Sequence, residues 1–88
     1  MKIAKDALDI YEFDNFYEQL KQELQKDAVL IDLENVNKID MSIIQLLVST
    51  KKSCDIQTKN FALENVNQEV TAIFESCACD FLLGGNND

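Results

Sequence analysis

Apolar residues recur at three- and four-residue steps through Phe13, Phe16, Tyr17, Leu20 and Leu24, while Glu18, Gln19, Lys21, Gln22 and Gln25 fill the opposite positions. That period is the one a helix with one buried face requires, and it predicts a helix from about Glu12 to Lys26. Ala28-Val29-Leu30-Ile31-Asp32-Leu33 behaves differently. It is a short apolar run without alternation, which predicts a strand buried on both faces. Upstream of the first helix, Ile3 to Leu8 form a weaker pattern, a short first strand whose Lys2, Lys5 and Asp6 suit a sheet edge.

Glu34 to Asp40 is a polar loop whose two apolar members, Val36 and Ile39, are expected to point inward. A second helix is predicted from about Met41 to Ser53. Asp40 stands where an N-cap belongs, its carboxylate able to accept the free N–H groups of the first turn and its charge suited to the positive helix end. Lys51 and Lys52 fall near the other end. Ile56 and Phe61-Ala62-Leu63 frame a further strand. Asn67 can cap a third helix carrying Val70, Ile73 and Phe74 on one face, and Phe81-Leu82-Leu83 closes the pattern as a strand or a packing tail.

The order is β-α-β-α-β-α with a final short apolar segment. Alternation of this kind predicts an α/β fold: a mixed, mostly parallel sheet with crossover helices packed on it. The 88 residues make one domain, expected to span 1–83, and Gly84 to Asp88 read as a disordered tail. The body lacks proline and the only two glycines, Gly84 and Gly85, lie in that tail, so no linker or repeat divides it.

Charge narrows the function classes. Sixteen acidic against eight basic residues give a net charge of −8. Such a surface repels phosphate backbones and anionic headgroups, so a nucleic acid or a membrane surface is a poor partner and a basic patch on a protein is a better one. No segment has the roughly 20 apolar residues of a membrane span, and the N-terminus has no signal-peptide core, so the expectation is a cytoplasmic protein. Cys77-Ala78-Cys79 and Cys54 are the only thiols and histidine is absent. A zinc site needs four good ligands, so these cysteines are expected to be small buried hydrophobes, with no metal and no cofactor. Asp32 and Glu34 end a strand without a histidine, a nucleophile–base pair or a phosphate loop nearby, and are taken as solvated carboxylates, with no catalytic residue among them.

The segment from Leu30 to Leu47 carries a motif. A buried strand ends in Asp32-Leu33. A short loop holds Val36. Ile39-Asp40 leads into a helix rich in Ile and Leu, with Gln45-Leu46-Leu47 following. This resembles the signature of STAS domains, the family that includes anti-sigma-factor antagonists of bacterial partner-switching systems. The likeness covers nearly the whole chain, with a shortened N-terminus. Two positions depart from the pattern. The residue after Asp40, where phosphorylated members carry the acceptor Ser or Thr, is Met41, and the family's glycine two residues further on is Ile43. Ser42 lies between them.

The resemblance implies a non-catalytic interaction module that binds an anti-sigma or kinase-like regulatory partner. Its implied contact residues are Asn37, Asp40, Met41, Ser42, Ile43 and Leu46. Ser42, in the first turn of a helix, is the candidate phosphorylation residue, since a phosphate there meets free N–H groups and could repel a partner. Ile43, Ile44, Leu46, Leu47 and Val48 cover roughly 200° of the helix, more than one buried stripe needs. Ile44, Leu47 and Val48 match the inward positions of the family, so the resemblance implies an exposed flank at Ile43 and Leu46. The resemblance equally implies an alternative: a structural STAS subunit of an ABC lipid-transport assembly or of a chemotaxis-associated one.

Overall fold

The computed structural model describes residues 1–83; the expected tail, 84–88, lies outside the described residues. The elements are β1 (Ala7–Leu8), a 3₁₀ turn (Ile10–Glu12), α1 (Phe13–Glu23), β2 (Ala28–Asp32), β3 (Lys38–Ile39), α2 (Met41–Ile56), β4 (Asn60–Glu64), α3 (Gln68–Ser76) and a closing 3₁₀ turn (Asp80–Leu82). Every strand pair among them is parallel. β2 lies beside β4 in the register Val29 to Phe61 and Ile31 to Leu63. β1 lies beside β3, and Lys2 makes a single parallel bridge to Asp32 on the free edge of β2. The expected first strand is thus split: its start joins β2 and its end joins β3.

One hydrophobic cluster holds the domain together, drawing on α1 (Phe16, Leu20), β2 (Val29, Ile31) and α3 (Val70, Phe74), among others. Val36 and Ile39 point inward as expected. β2 is covered on one face only. Val29 and Ile31 are fully buried, but Leu30 between them is 43% exposed beside Ala62. The expectation of two-sided burial is corrected here, because the helices gather on one face of the sheet and leave the other to solvent.

α2 runs three residues past Ser53, so Ile56 ends the helix, 84% exposed, and does not frame β4. Asn67 does cap α3: its Oδ1 accepts the N–H of Val70 at 3.0 Å. Lys59 donates to the carbonyl of Leu24, closing the C-terminal end of α1 with a positive charge. The final apolar segment is a 3₁₀ turn that drives Leu82 into the core and leaves Phe81 outside.

α2 and α3 end alike, and without glycine. At the end of α2 the N–H of Lys59 reaches the carbonyl of Cys54 (2.7 Å) and that of Thr58 reaches Asp55 (3.2 Å), with Thr58 at φ 54°. At the end of α3 the N–H of Cys79 reaches Phe74 (2.8 Å) and that of Ala78 reaches Glu75 (3.2 Å), with Ala78 at φ 60°. These are two Schellman caps whose left-handed position holds a residue with a Cβ, at a cost of about 1–2 kcal/mol each. Thr58→Gly and Ala78→Gly are each expected to raise stability by about 1 kcal/mol, the β-branched Thr58 giving the larger gain. Urea unfolding checks this, and a loss of stability at either position would contradict the assigned backbone geometry.

Candidate functional site

The segment from Asn37 to Leu46 is positioned by β3 and by the loop before it. The N–H groups of Asn37 and Lys38 both donate to the carbonyl of Asp6, and the N–H of Asp40 donates to Leu8. Asn67 holds the loop from the other side. Its Nδ2 donates to the carbonyl of Val36 (2.6 Å) and to Oδ1 of Asn37 (3.0 Å). The chain therefore enters α2 from a clamped loop, with Asn37, Asp40 and Met41 on the surface.

Asp40 occupies the N-cap position in backbone terms. Its φ and ψ are −85° and 157°, and its carbonyl accepts the N–H groups of Ile43 and Ile44, both at 3.0 Å. Its carboxylate does not close on the first turn of α2, contrary to expectation. Oδ2 instead accepts the N–H of Ile10 at 3.2 Å, thirty residues away. That N–H begins the 3₁₀ turn, whose own cap is Asp9, accepting the N–H of Tyr11 at 3.0 Å. The competition is local: Ile10 begins a turn whose N–H groups also lack partners, and it faces the Asp40 side chain.

This tether brings a second segment to the site. Ile10 is 66% exposed and Tyr11 91%. Met41, directly after Asp40, is 51% exposed. Next to them an open groove runs between α1 and α2, lined by Phe13, Ser42, Gln45, Leu46 and Ser49. The ring of Phe13 stacks on that of Tyr17 at 6.2 Å. Sequence reasoning missed Ile10 and Tyr11. The available signal was two large apolar residues in Asp9-Ile10-Tyr11 that fall outside the inward stripe of α1.

Two of the expected contact residues are placed otherwise. Ile43 is 0% exposed and belongs to the core, so the expected exposed flank there is corrected. It lies one turn before Leu47 on a stripe continued by the buried Thr50 and Cys54, and that stripe sets the inward face of α2. Leu46 stays at the flank, half-buried against the core, as does Val48, which had been expected inside. Ser42 faces the groove, but its Oγ is shielded from solvent and has no hydrogen-bond partner among the described residues. Ser42→Ala is therefore expected to leave stability unchanged or to raise it by up to about 1 kcal/mol, since only an unpaired hydroxyl is removed. A thermal melt of the variant checks this, and a clear loss would reveal a partner for the hydroxyl.

The remaining candidate chemistry is quiet. Asp32 is held below the ordinary carboxylate range by the N–H of Glu34, with smaller help from Asn65 and Lys2, so it is ionised and unsuited to act as an acid near neutrality. Lys2 is held above its usual value by its hydrogen bond to Glu34. Burial pushes the Cys54 thiol up, and the hydrogen bond with Cys77 pushes Cys79 up. Raised thiols carry less of the reactive thiolate. No group of three or more His, Cys, Asp or Glu residues converges to hold a metal ion among the described residues. No helix among them is long and apolar enough to cross a membrane.

Residues 4–84 match the family model described as "Mlab, STAS domain". The match spans most of the chain, and the protein belongs to the STAS family. It is a mixed α/β domain of that fold, and domains of this family are generally non-catalytic modules that bind protein partners. No curated protein matches the chain.

Proposed function

We propose that residues 1–83 form one interaction domain, and that it acts as an anti-sigma-factor antagonist does, by binding an anti-sigma or kinase-like regulatory protein through the loop and helix start from Asn37 to Leu46. The observation that carries this reading is Met41. It stands half-exposed directly after Asp40, beside the α1–α2 groove, in the position where the resemblance places a phosphoacceptor. A thioether cannot be phosphorylated. The contact is then always competent, made by an adaptable apolar side chain in an acidic setting. Asn37, Asp40 and Leu46 complete the contact surface. Ile43 supports the contact from within the core. The shielded Oγ of Ser42 weighs against its use as a shifted acceptor.

The test is a pull-down from the native cells with wild-type, Met41→Asp and Ser42→Ala domains in parallel. A phosphate-like charge at position 41 is expected to cut retention of the regulatory partner at least about tenfold, while Ser42→Ala retains it. Ser42→Asp would be a poor probe, because it places a carboxylate where the hydroxyl is already shielded and lowers stability directly. Equal capture by wild-type and Met41→Asp would remove the proposed surface.

A second reading is a fixed structural subunit of an ABC lipid-transport or chemotaxis-associated assembly. The description of the matched family model, which names Mlab rather than an antagonist, favours it. An obligate interface is large and apolar, so on this reading the isolated domain self-associates, whereas a reversibly binding antagonist stays monomeric. Sedimentation of the purified domain separates the two.

A further inference from the structure

We propose that the 3₁₀ turn Ile10–Glu12 is the primary anchor of the binding face, and that Tyr11 inserts into an apolar socket bordered by lysine or arginine on the partner protein. This rests on the interaction-module reading and names the partner's chemistry.

Tyr11 and Ile10 are adjacent and are exposed to 91% and 66%. Two large apolar side chains kept in water at one turn give up stabilisation that they recover only when covered. The turn is also rigid. Asp9 accepts the N–H of Tyr11, the carbonyl of Asp9 accepts the N–H of Glu12 at 3.0 Å, and Asp40 accepts the N–H of Ile10. An aromatic side chain on a fixed turn loses little freedom on binding, which is what makes tyrosine an interface anchor. The Asp40 tether sets this turn beside Met41, so the two apolar features face one partner.

Charge selects the occupant. Asp9, Asp14 and Asp40 surround the turn without an ion pair among the described residues, and Glu18 is one turn further along α1. Two nearby cations are engaged: Lys5 approaches Glu12 at 3.8 Å, and Lys21 approaches Glu18 and lies over the Tyr17 ring. Lys38, exposed on β3, is a single positive charge against the three aspartates. An acidic border around an apolar anchor complements a basic border around an apolar socket. A second copy of this chain fits less well by the same logic, since a two-fold contact brings two acidic borders of like charge together.

The experiment places the photocrosslinker benzoylphenylalanine at position 11 in one full-length variant and at position 45, on the α2 side of the groove, in another. Both are irradiated in the native cells. The cross-linked peptide is sequenced, and the purified partner is then titrated with wild-type, Tyr11→Ala and Asp14→Lys proteins. The expected result is a cross-link from position 11 to an apolar residue flanked by Lys or Arg. Tyr11→Ala should weaken that partner at least about tenfold with an unchanged melting temperature, and Asp14→Lys should slow association severalfold. A cross-link to a second copy or to an acidic segment would overturn the proposal. So would wild-type affinity in Tyr11→Ala. A cross-link from position 45 alone would overturn the turn's role and leave the interaction module standing. No protein cross-link from either position would overturn both.

Discussion

Ile43→Gly is expected to destabilise the domain by about 4 kcal/mol. Removing a fully buried isoleucine side chain costs about 2–5 kcal/mol, and glycine in a helix interior adds about 1. A domain of 88 residues has a total stability of about 4–13 kcal/mol, so the variant gives up about a third of it or more. Glycine is what the STAS pattern expects at this position, and in this chain the surrounding core has closed around an isoleucine. Urea unfolding with an unchanged slope is the measurement, and Ile43→Val, losing one methyl, should cost about 1 kcal/mol. If Ile43→Gly instead lost less than about 1 kcal/mol, the side chain would have to lie outside the core, and its earlier reading as a contact residue would return.

Asn67→Ala is expected to cost about 3 kcal/mol and to loosen the proposed binding segment as well. One side chain makes three bonds: the cap on Val70, and donations to Val36 and Asn37. Loss of an N-cap costs about 1 kcal/mol, and the carbonyl of Val36, in a residue fully buried behind the loop, would lose its donor at a further cost of about 1–3. Asn67→Asp keeps the acceptor for Val70 and loses both donations, so it separates the cap from the clamp. Hydrogen exchange at Asn37 and Lys38, whose N–H groups bond to Asp6, should quicken in both variants. Slow exchange there with a lowered melting temperature would show that the cap matters and the clamp does not.

Much of the fold was legible because the residues repeat a period. Phe16 and Leu20 mark the inner face of α1, Val70 and Phe74 that of α3, and Asn67 stands at its cap as its chemistry suggests. The failures have specific physical causes. Val29-Leu30-Ile31 contains no polar residue to reveal that one face of β2 meets water. In α2 the inward line reaches Cys54 through Thr50, which does not look apolar in a count. Thr50 enters the core because its hydroxyl donates to the carbonyl of Leu46 at 2.8 Å. Reading that line would have put Ile43 inside.

The candidate site was less legible for a different reason. Asp40 was recognisable as a cap, but its carboxylate serves a turn thirty residues earlier in the chain. No local pattern encodes that choice. It depends on β1 and β3 lying side by side, which brings Leu8 to Asp40 and so Ile10 to its side chain. The exposure of Tyr11 follows from the same placement, because the residues of the turn have no buried position among them.

The exclusively parallel pairing of the described strands bears on how the protein is made. Each pair joins segments roughly thirty residues apart, with a helix between them, and no hairpin supplies a local start. During synthesis β2 emerges long before β4, and Val29 and Ile31 have no strand beside them on that edge until residue 64 has left the ribosome. The first half of the chain is then an acidic, partly helical segment carrying an uncovered apolar strand. The net negative charge that suits the finished domain to the proposed basic partner also keeps nascent copies apart during that interval.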